Sequence, residues 1–144
     1  MHPAQAFVTA YLTAISTRDI AALPDYFSPT ATWWTSGNPV RVPNAGGPKP
    51  VEEHLPLLTG LLGLFDEYAY DVVNMVGEGG NVMVEAQARG VLGDIIYVNN
   101  ITSAFAVERT GGRAGQWRIE SVREYPDHKE IEWLKEQLAS LPSE

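Results

Sequence analysis

The second half of the chain most constrains its fold, because it divides into segments of alternating apolar and polar residues separated by glycine-containing turns. Such segments are typical of β-strands that follow one another as an antiparallel meander. The predicted strands cover residues 67–76, 82–91, 95–108 and 117–125, and the predicted turns cover residues 78–81, residues 93–94 and the glycines Gly111, Gly112 and Gly115. This half of the chain therefore predicts one antiparallel sheet.

The last predicted strand runs directly into a helix. Pro126 ends the strand because it has no N–H to donate to a ladder, and Asp127 opens a helix over residues 128–141. Glu130 follows Asp127 at the spacing of a capping box, with Asp in place of Ser or Thr. Glu124 thus lies at a strand end, where folds of sheet plus helix tend to present chemistry. The pattern leaves open whether its carboxylate faces solvent or a pocket.

The first half of the chain is predicted to be mostly helical. Phe7, Tyr11 and Ile15 recur at helical spacing in a helix over residues 3–17. The remaining predictions are a short helix that begins at the N-cap Asp19, a strand over residues 30–35, and a helix over residues 51–64 that Pro56 kinks or starts late. Helices gathered in one half and antiparallel strands in the other indicate a single α+β domain over residues 1–144.

Two features of this first half bear on a possible pocket. Residues 38–50 are rich in Pro, Gly and Asn, and a long loop of this kind inside a domain is typical of a lid or binding loop. Trp33 and Trp34 point to opposite sides of their short strand, so that one of them can line a pocket. A curved sheet with helices across one face would enclose such a pocket.

Composition excludes several classes of function. The net charge of −8 argues against binding nucleic acid or an anionic membrane, since both require clustered Lys and Arg. The chain has no cysteine, which excludes disulfides and thiol nucleophiles, and its three histidines lack the spacing of metal ligands. No Gly-rich loop leads from a strand into a helix. We expect no cofactor, no metal and, without a signal-peptide pattern or a membrane-length apolar run, a cytoplasmic protein.

The order of elements resembles that of a known superfamily. Helix, helix, strand, helix and meander is similar to the nuclear transport factor 2-like superfamily, and the local matches resemble its SnoaL-like, ketosteroid isomerase-related branch. These matches are FSPTATWW (27–34), VMVE (82–85), YVNN (97–100) and REYPD (123–127). The resemblance covers nearly the whole chain. It implies a cone-shaped fold with a pocket between sheet and helices, and a homodimer built on the outer face of the sheet.

Ketosteroid isomerases within this superfamily suggest one set of site residues. Their tyrosine on the first helix, which donates to the substrate oxygen, matches Tyr11. Their catalytic base falls on Thr35 and their protonated aspartate falls on Ser103, and neither is a carboxylate here. The resemblance therefore implies a related pocket in which any catalytic carboxylate stands elsewhere.

Limonene epoxide hydrolases, which share the superfamily, suggest a second set. Their tyrosine and asparagine on the first strand fall on Trp33 and Thr35, and their arginine and first aspartate fall on Ala86 and Ala88. Their second catalytic aspartate falls on Glu124. The two comparisons together place Thr35 at the pocket floor and Glu124 on the pocket wall.

One face of the long predicted strand has the composition of a ligand wall. Alternate residues on that face are Tyr97, Asn99, Ile101, Ser103 and Phe105. They combine apolar bulk with a phenol, an amide and a hydroxyl, as a ligand site requires.

The same alternation can be applied to the last predicted strand. It places Glu124 on one face with Val122, Glu120 and Arg118, and Ile119 on the opposite face.

Together these residues predict a cofactor-independent enzyme that acts on a small apolar, aromatic or polycyclic molecule by proton transfer, as an isomerase or a lyase. Glu124 is the candidate general base or acid, and Tyr11 and Tyr97 are candidate donors to a developing oxyanion. The candidate substrate-binding residues are Asn99, which would orient the substrate, Trp33, Ile101 and Phe105, which would pack against its rings, and Thr35, Ser103 and His54.

Each of these residues also has a plainer interpretation. Glu124 could be an exposed glutamate, and Tyr97 and Asn99 could be buried residues whose polar groups are satisfied within the protein. Tyr11 could belong to the core, and His54 could be a surface or capping residue rather than an acid on a lid. For the whole chain the alternatives are a non-catalytic, dimeric small-molecule-binding module and an epoxide hydrolase with a rearranged site.

Overall fold

The computed structural model describes residues 1–109 and 116–142 and shows an α+β fold. Three α-helices and a short 3-10 helix pack against a curved six-stranded sheet that does not close into a barrel. The helices are α1 (Pro3–Ser16), the 3-10 helix Ile20–Tyr26, α2 (Val51–Leu64) and α3 (His128–Ala139). The strands are β1 (Phe27–Thr35), β2 (Gly46–Pro50), β3 (Glu67–Glu78), β4 (Asn81–Leu92), β5 (Ile95–Arg109) and β6 (Trp117–Tyr125).

The predicted meander is confirmed. β3 pairs with β4, β4 with β5 and β5 with β6, each in antiparallel fashion, so that strands adjacent in sequence are adjacent in the sheet. The sheet order is β2-β1-β6-β5-β4-β3. The third predicted turn, at Gly111, Gly112 and Gly115, lies outside the described residues.

The first half of the sheet differs from the prediction. β1 begins at Phe27 and pairs in parallel with β6, and its register with β6 shifts between Phe27 and Thr32, around Pro29. The predicted loop over residues 38–50 is wrong at its C-terminal end, because β2 (Gly46–Pro50) pairs with β1 at the edge of the sheet. A short strand made of Gly, Pro and Lys carries no alternation signal, and only an edge strand tolerates two prolines.

The helix boundaries agree closely with the prediction, with two differences in detail. α2 begins at Val51 with Pro56 inside it, so the proline does not delay its start. The helix after Asp19 is a 3-10 helix, and the Asp19 side chain makes no capping hydrogen bond. At α3 the predicted N-cap is confirmed, since the Asp127 carboxylate accepts from the Lys129 N–H at 3.0 Å.

The core lies between α1 and the concave face of the sheet. Val82, Val84 and Val122 from the sheet pack there with Val8 and Leu12 from α1, all of them buried. Burial of such side chains contributes roughly 1.5–3 kcal/mol each. The sheet therefore has a concave face that is covered and an outer face. β5 and β6 are its two central strands.

A β-bulge in β6 overturns part of the simple alternation expected for that strand. Ala106 pairs with Ser121 and Val107 pairs with Ile119, which leaves Glu120 as the extra residue. Ile119 is therefore fully buried with Val122, not on the opposite face as alternation alone predicts. Glu124 lies beyond the bulge and keeps the parity of Val122.

Among the described residues, no helix is both long enough and apolar enough to cross a membrane.

Candidate active site

A cavity of about 550 Å³ lies between the concave face of the sheet and the helices. Its volume is within the range of pockets that take small molecules. The structure brings together in its lining all ten predicted site residues, which are Tyr11, Trp33, Thr35, His54, Tyr97, Asn99, Ile101, Ser103, Phe105 and Glu124. The chemical roles assigned to them remain predictions.

Glu124 is a half-buried residue of β6 that lines the cavity, so it is not the exposed surface glutamate of the plainer interpretation. It is held between Thr35 of β1 and Ser103 of β5, with which it pairs across the sheet. Burial raises the pKa of its carboxyl from 4.5 to about 7. Within residues 1–109 and 116–142 nothing offsets this rise, and the group can therefore accept and release a proton near neutral pH.

Four tyrosines surround this carboxyl in the cavity wall: Tyr11, Tyr68, Tyr70 and Tyr97. Burial is the main cause that raises the pKa of each phenol, and the negative charge of Glu124 raises all four further. All four hydroxyls are therefore protonated at neutral pH and available as hydrogen-bond donors.

Tyr68 and Tyr70 were missed by the sequence analysis. They stand two residues apart on β3, opposite Gly90 and Ala88 of β4. The sequence did contain a signal for them: two tyrosines on the same face of an alternating strand, each paired with a small residue of the neighbouring strand that leaves room for a ring. It became informative only once the register of β3 and β4 was known.

Tyr97 is held by a network that also contains Asn99 and the turn before α3. Asn99 Nδ2 donates to the Tyr97 hydroxyl oxygen at 2.7 Å and to the Asp127 carbonyl oxygen at 3.2 Å, while the Asp127 N–H donates to Asn99 Oδ1 at 2.8 Å. The amide of Asn99 is thus used within the protein, as the plainer interpretation held, and leaves no free N–H to orient a substrate. Phe65 stacks on the Tyr97 ring, with centroids 5.8 Å apart.

Two buried polar atoms of the cavity residues have no hydrogen-bond partner among the described residues. They are the hydroxyl oxygen of Tyr11 and the indole nitrogen of Trp33. An unsatisfied buried polar group costs about 1–3 kcal/mol. Tyr11 is therefore both a core residue and a donor without an acceptor in the described part of the chain.

His54 is neither a surface residue nor a helix cap, contrary to its plainer interpretation. Its ring stacks on Trp33 with centroids 3.9 Å apart and planes 14° apart, and the α2 N-cap is Pro50. Burial, and next the charge of Lys49, lower the pKa of His54 to about 4. At neutral pH the imidazole is therefore uncharged, so an imidazolium acid at this position is not supported.

The predicted binding loop reaches the cavity. Arg41, Val42, Pro43 and Asn44 all contribute to its lining. A smaller cavity of about 200 Å³ adjoins the first beside the His54–Trp33 stack, and Lys49 of β2 contributes to it. Because β2 pairs with β1, Lys49 is fixed to the edge of the sheet beside the smaller cavity.

His128 is a further cavity residue that the sequence analysis placed only in the first turn of a helix. Its Nε2 lies 2.6 Å from the Ser36 carbonyl oxygen. Because a carbonyl oxygen only accepts, Nε2 carries a hydrogen. This contact and the hydrogen bond from the Ser36 N–H to the Glu124 carbonyl oxygen, at 2.9 Å, join the end of β1 to β6 and α3 beside the site.

Within the described part of the chain, no group of three or more His, Cys, Asp or Glu side chains could hold a metal ion. The polar groups that line the cavity include the Glu124 carboxyl and the phenol hydroxyls of four tyrosines.

Comparison with known proteins agrees with this architecture. The family model of the SnoaL-like domain matches residues 8–127. The chain belongs to the SnoaL-like family, whose members suggest an enzyme that processes small molecules. The resemblance to this branch of the nuclear transport factor 2-like superfamily is thereby confirmed. No curated protein matches the sequence.

Three solved structures illustrate how far the fold extends beyond sequence similarity. PrhC from Penicillium brasilianum aligns with a TM-score of 0.78 at 12% identity, over 96% of this chain and 89% of that one. A candidate SnoaL-like polyketide cyclase from Shewanella denitrificans aligns at 0.67 and 13% identity, over 98% of this chain and 100% of that one. AclR, a candidate hydroxylase from Streptomyces galilaeus, aligns at 0.70 and 11% identity, over 97% and 87%. Identities this low establish the shared fold alone.

Proposed function

We propose that this chain is a cofactor-independent enzyme that transfers protons by general acid/base catalysis on a small apolar, aromatic or polycyclic molecule, as an isomerase or a lyase. The observation that carries the proposal is the Glu124 carboxyl, whose pKa burial raises to about 7 inside a cavity lined by apolar side chains and phenols. A base with a pKa near the working pH combines the correct protonation state with a strong driving force for proton transfer.

The proposed reaction begins with removal of a proton from a carbon next to a substrate carbonyl by the Glu124 carboxylate. The electron pair of the broken C–H bond moves toward the carbonyl carbon, and the carbonyl oxygen gains negative charge. The hydroxyls of Tyr97 and Tyr11 would donate to that oxygen. In an isomerase, the Glu124 carboxyl then returns its proton to a different carbon. In a lyase, the electron pair of the enolate forms a C=C bond and expels a leaving group from the carbon next to the deprotonated one, and the leaving group takes the proton from Glu124.

The apolar part of the cavity supports the proposed substrate class. Trp33 and Phe105 are buried aromatic residues of the lining, and Ile101 lies between Phe105 and Tyr97 on the same face of β5. A flat ring system would bury apolar surface against these side chains, at about 25 cal/mol per Å². Thr35 and Ser103, the pairing partners of Glu124, would surround its carboxyl at the pocket floor.

The proposal can be tested with 5-nitrobenzisoxazole, an aromatic probe that reports base catalysis in an apolar site. A base removes the C–H proton of its isoxazole ring while a nitrile forms and the N–O bond breaks, and the product is a coloured cyano-nitrophenolate. We expect turnover that rises with pH through about pH 7, as the carboxyl of Glu124 ionises. Glu124→Gln should lower this turnover by roughly two to four orders of magnitude.

The matched control is Glu85→Gln, because Glu85 is exposed on β4 and does not line the cavity. It should leave the turnover unchanged. A rate that survives in Glu124→Gln would show that Glu124 is not the base. A probe that binds without any turnover would instead favour the non-catalytic binding module.

We also propose that the protein forms a homodimer through the outer face of its sheet. Met83 and Ile96 are exposed on adjacent strands of that face, at 46% and 51% of their surface. Pairing of two such faces would remove this apolar surface from water. Light scattering at micromolar concentration should give the mass of a dimer, and the mass of a monomer would contradict the proposal.

A further inference from the structure

Among the described residues that line the cavity, Asn99 is the one buried side-chain amide. Backbone groups on both sides determine which way this amide is turned. The Asp127 N–H can only donate, so the atom that it meets at 2.8 Å must be the amide oxygen of Asn99. The Asp127 carbonyl can only accept, so the atom that it meets at 3.2 Å must be the amide nitrogen.

This orientation determines the direction of the Tyr97 hydroxyl. The second N–H of the Asn99 amide points at the Tyr97 oxygen, 2.7 Å away, and that oxygen is therefore an acceptor in the contact. The phenolic proton must then turn away from Asn99. No acceptor for it is found within residues 1–109 and 116–142, and the Tyr97 side chain lines the cavity.

We infer that Asn99 is a positioning residue that makes Tyr97 a donor toward the cavity and thereby selects ligands with an accepting oxygen, a carbonyl or an enolate, at that point. This inference deepens the proposed function, which requires Tyr97 to donate to a developing oxyanion. In this role Asn99 does not contact the substrate directly, contrary to the sequence prediction, but orients the hydroxyl of Tyr97, which does. The donated N–H also polarises the phenol, which strengthens its own O–H as a donor.

The turn before α3 takes part in the same selection. Asp127 supplies both backbone groups that orient the amide, and it is also the N-cap of α3. The helix start and the Tyr97 proton are therefore linked through a single side chain. Phe65 stacks on the Tyr97 ring and adds a packing contact to the hydrogen bond from Asn99.

Asn99→Asp is the informative substitution, because it keeps the size of the side chain and removes its N–H groups. The phenol of Tyr97 then has an anionic acceptor at 99 and should donate to it, not into the cavity. The matched control is Asn100→Asp, which makes the same change at an exposed position one residue away, where the amide oxygen accepts from Gln87.

Binding of two naphthalene probes reports the ligand selection. 2-Acetonaphthone carries a ketone oxygen, and 2-isopropenylnaphthalene has the same shape without it. By tryptophan fluorescence quenching, we expect the unmodified protein and Asn100→Asp to prefer the ketone by about fivefold, the equivalent of one hydrogen bond. Tyr97→Phe and Asn99→Asp should both lose this preference. A folded Asn99→Asp variant that retains it would overturn the inference.

A second measurement covers the case in which Asn99→Asp does not fold. In the unmodified protein, NMR of the 15N-labelled side-chain amides should show both Asn99 protons protected from exchange. Tyr97→Phe removes only the phenol oxygen and should shift and deprotect one of the two. If neither proton changes, the contact does not exist as described and the inference fails. Neither measurement requires turnover. A failure of the inference about Asn99 can therefore be distinguished from a failure of the proposed catalysis.

Discussion

The raised pKa of Glu124 predicts that replacing this residue with Gln stabilises the protein, and does so only above a certain pH. In the folded state the carboxyl has a pKa of about 7, compared with 4.5 when it is not buried. Between these two values the folded protein holds a proton that the unfolded chain has released. The free energy of unfolding contributed by Glu124 therefore falls as pH rises from 4.5 to 7.

The magnitude follows from the same two values. A difference between pKa 4.5 and pKa 7, at about 1.36 kcal/mol per pH unit, corresponds to about 3 kcal/mol. Below pH 4.5 the carboxyl is protonated in both states and this contribution is fully present; above pH 7 it is lost. Gln cannot ionise, so Glu124→Gln should gain about 3 kcal/mol relative to the parent protein across this window.

Urea unfolding followed by circular dichroism, from about pH 4 to about pH 8, measures this change directly. The informative quantity is the pH dependence of the difference between variant and parent, since a constant offset reflects only the shape and hydrogen bonding of Gln. Glu85→Gln, on the exposed side of β4, is the control for the loss of a carboxylate that is not buried. A flat difference for Glu124→Gln would refute the raised pKa and remove the main support for Glu124 as a base.

Further predictions concern the packing and charge of the cavity wall. Gly90→Ala should destabilise the fold by about 1–3 kcal/mol, because an added Cβ would lie 2.6 Å from the Phe65 ring. Gly60→Ala in α2 should stabilise the fold by about 0.5–1 kcal/mol, because its Cβ would meet nothing within 4 Å. Urea unfolding measures both changes. The His54 ring should titrate near pH 4 by NMR, and a value near 6.5 would contradict its burial against Trp33. Tyr97→Phe should lower kcat for 5-nitrobenzisoxazole more than it weakens binding of the probe, whereas equal losses would indicate a role in binding alone.

Local patterns determined much of this protein. The strands β3 to β6, the helix α1 and the capping residue Asp127 follow from short-range signals, and each appears in the structure close to where the sequence placed it. Alternation on β5 was also sufficient to identify the cavity face, because no bulge interrupts its pairing with β4. The family resemblance then brought Tyr11, Thr35 and Glu124 into one pocket.

Long-range pairing decided the remainder. The parallel contact between β1 and β6 and the edge strand β2 depend on partners far apart in the chain, which leave no periodic signal in either segment. The bulge at Glu120 turned the Ile119 side chain to the opposite face of the sheet. One unpaired residue shifts the alternation of all the residues of the strand that precede it. The burial that raises the pKa of Glu124, the four phenols around it and the backbone groups that turn the Asn99 amide arise from neighbours supplied by different strands and helices. Chemistry at this site thus depends on desolvation and hydrogen-bond direction, and both are properties of the assembled cavity.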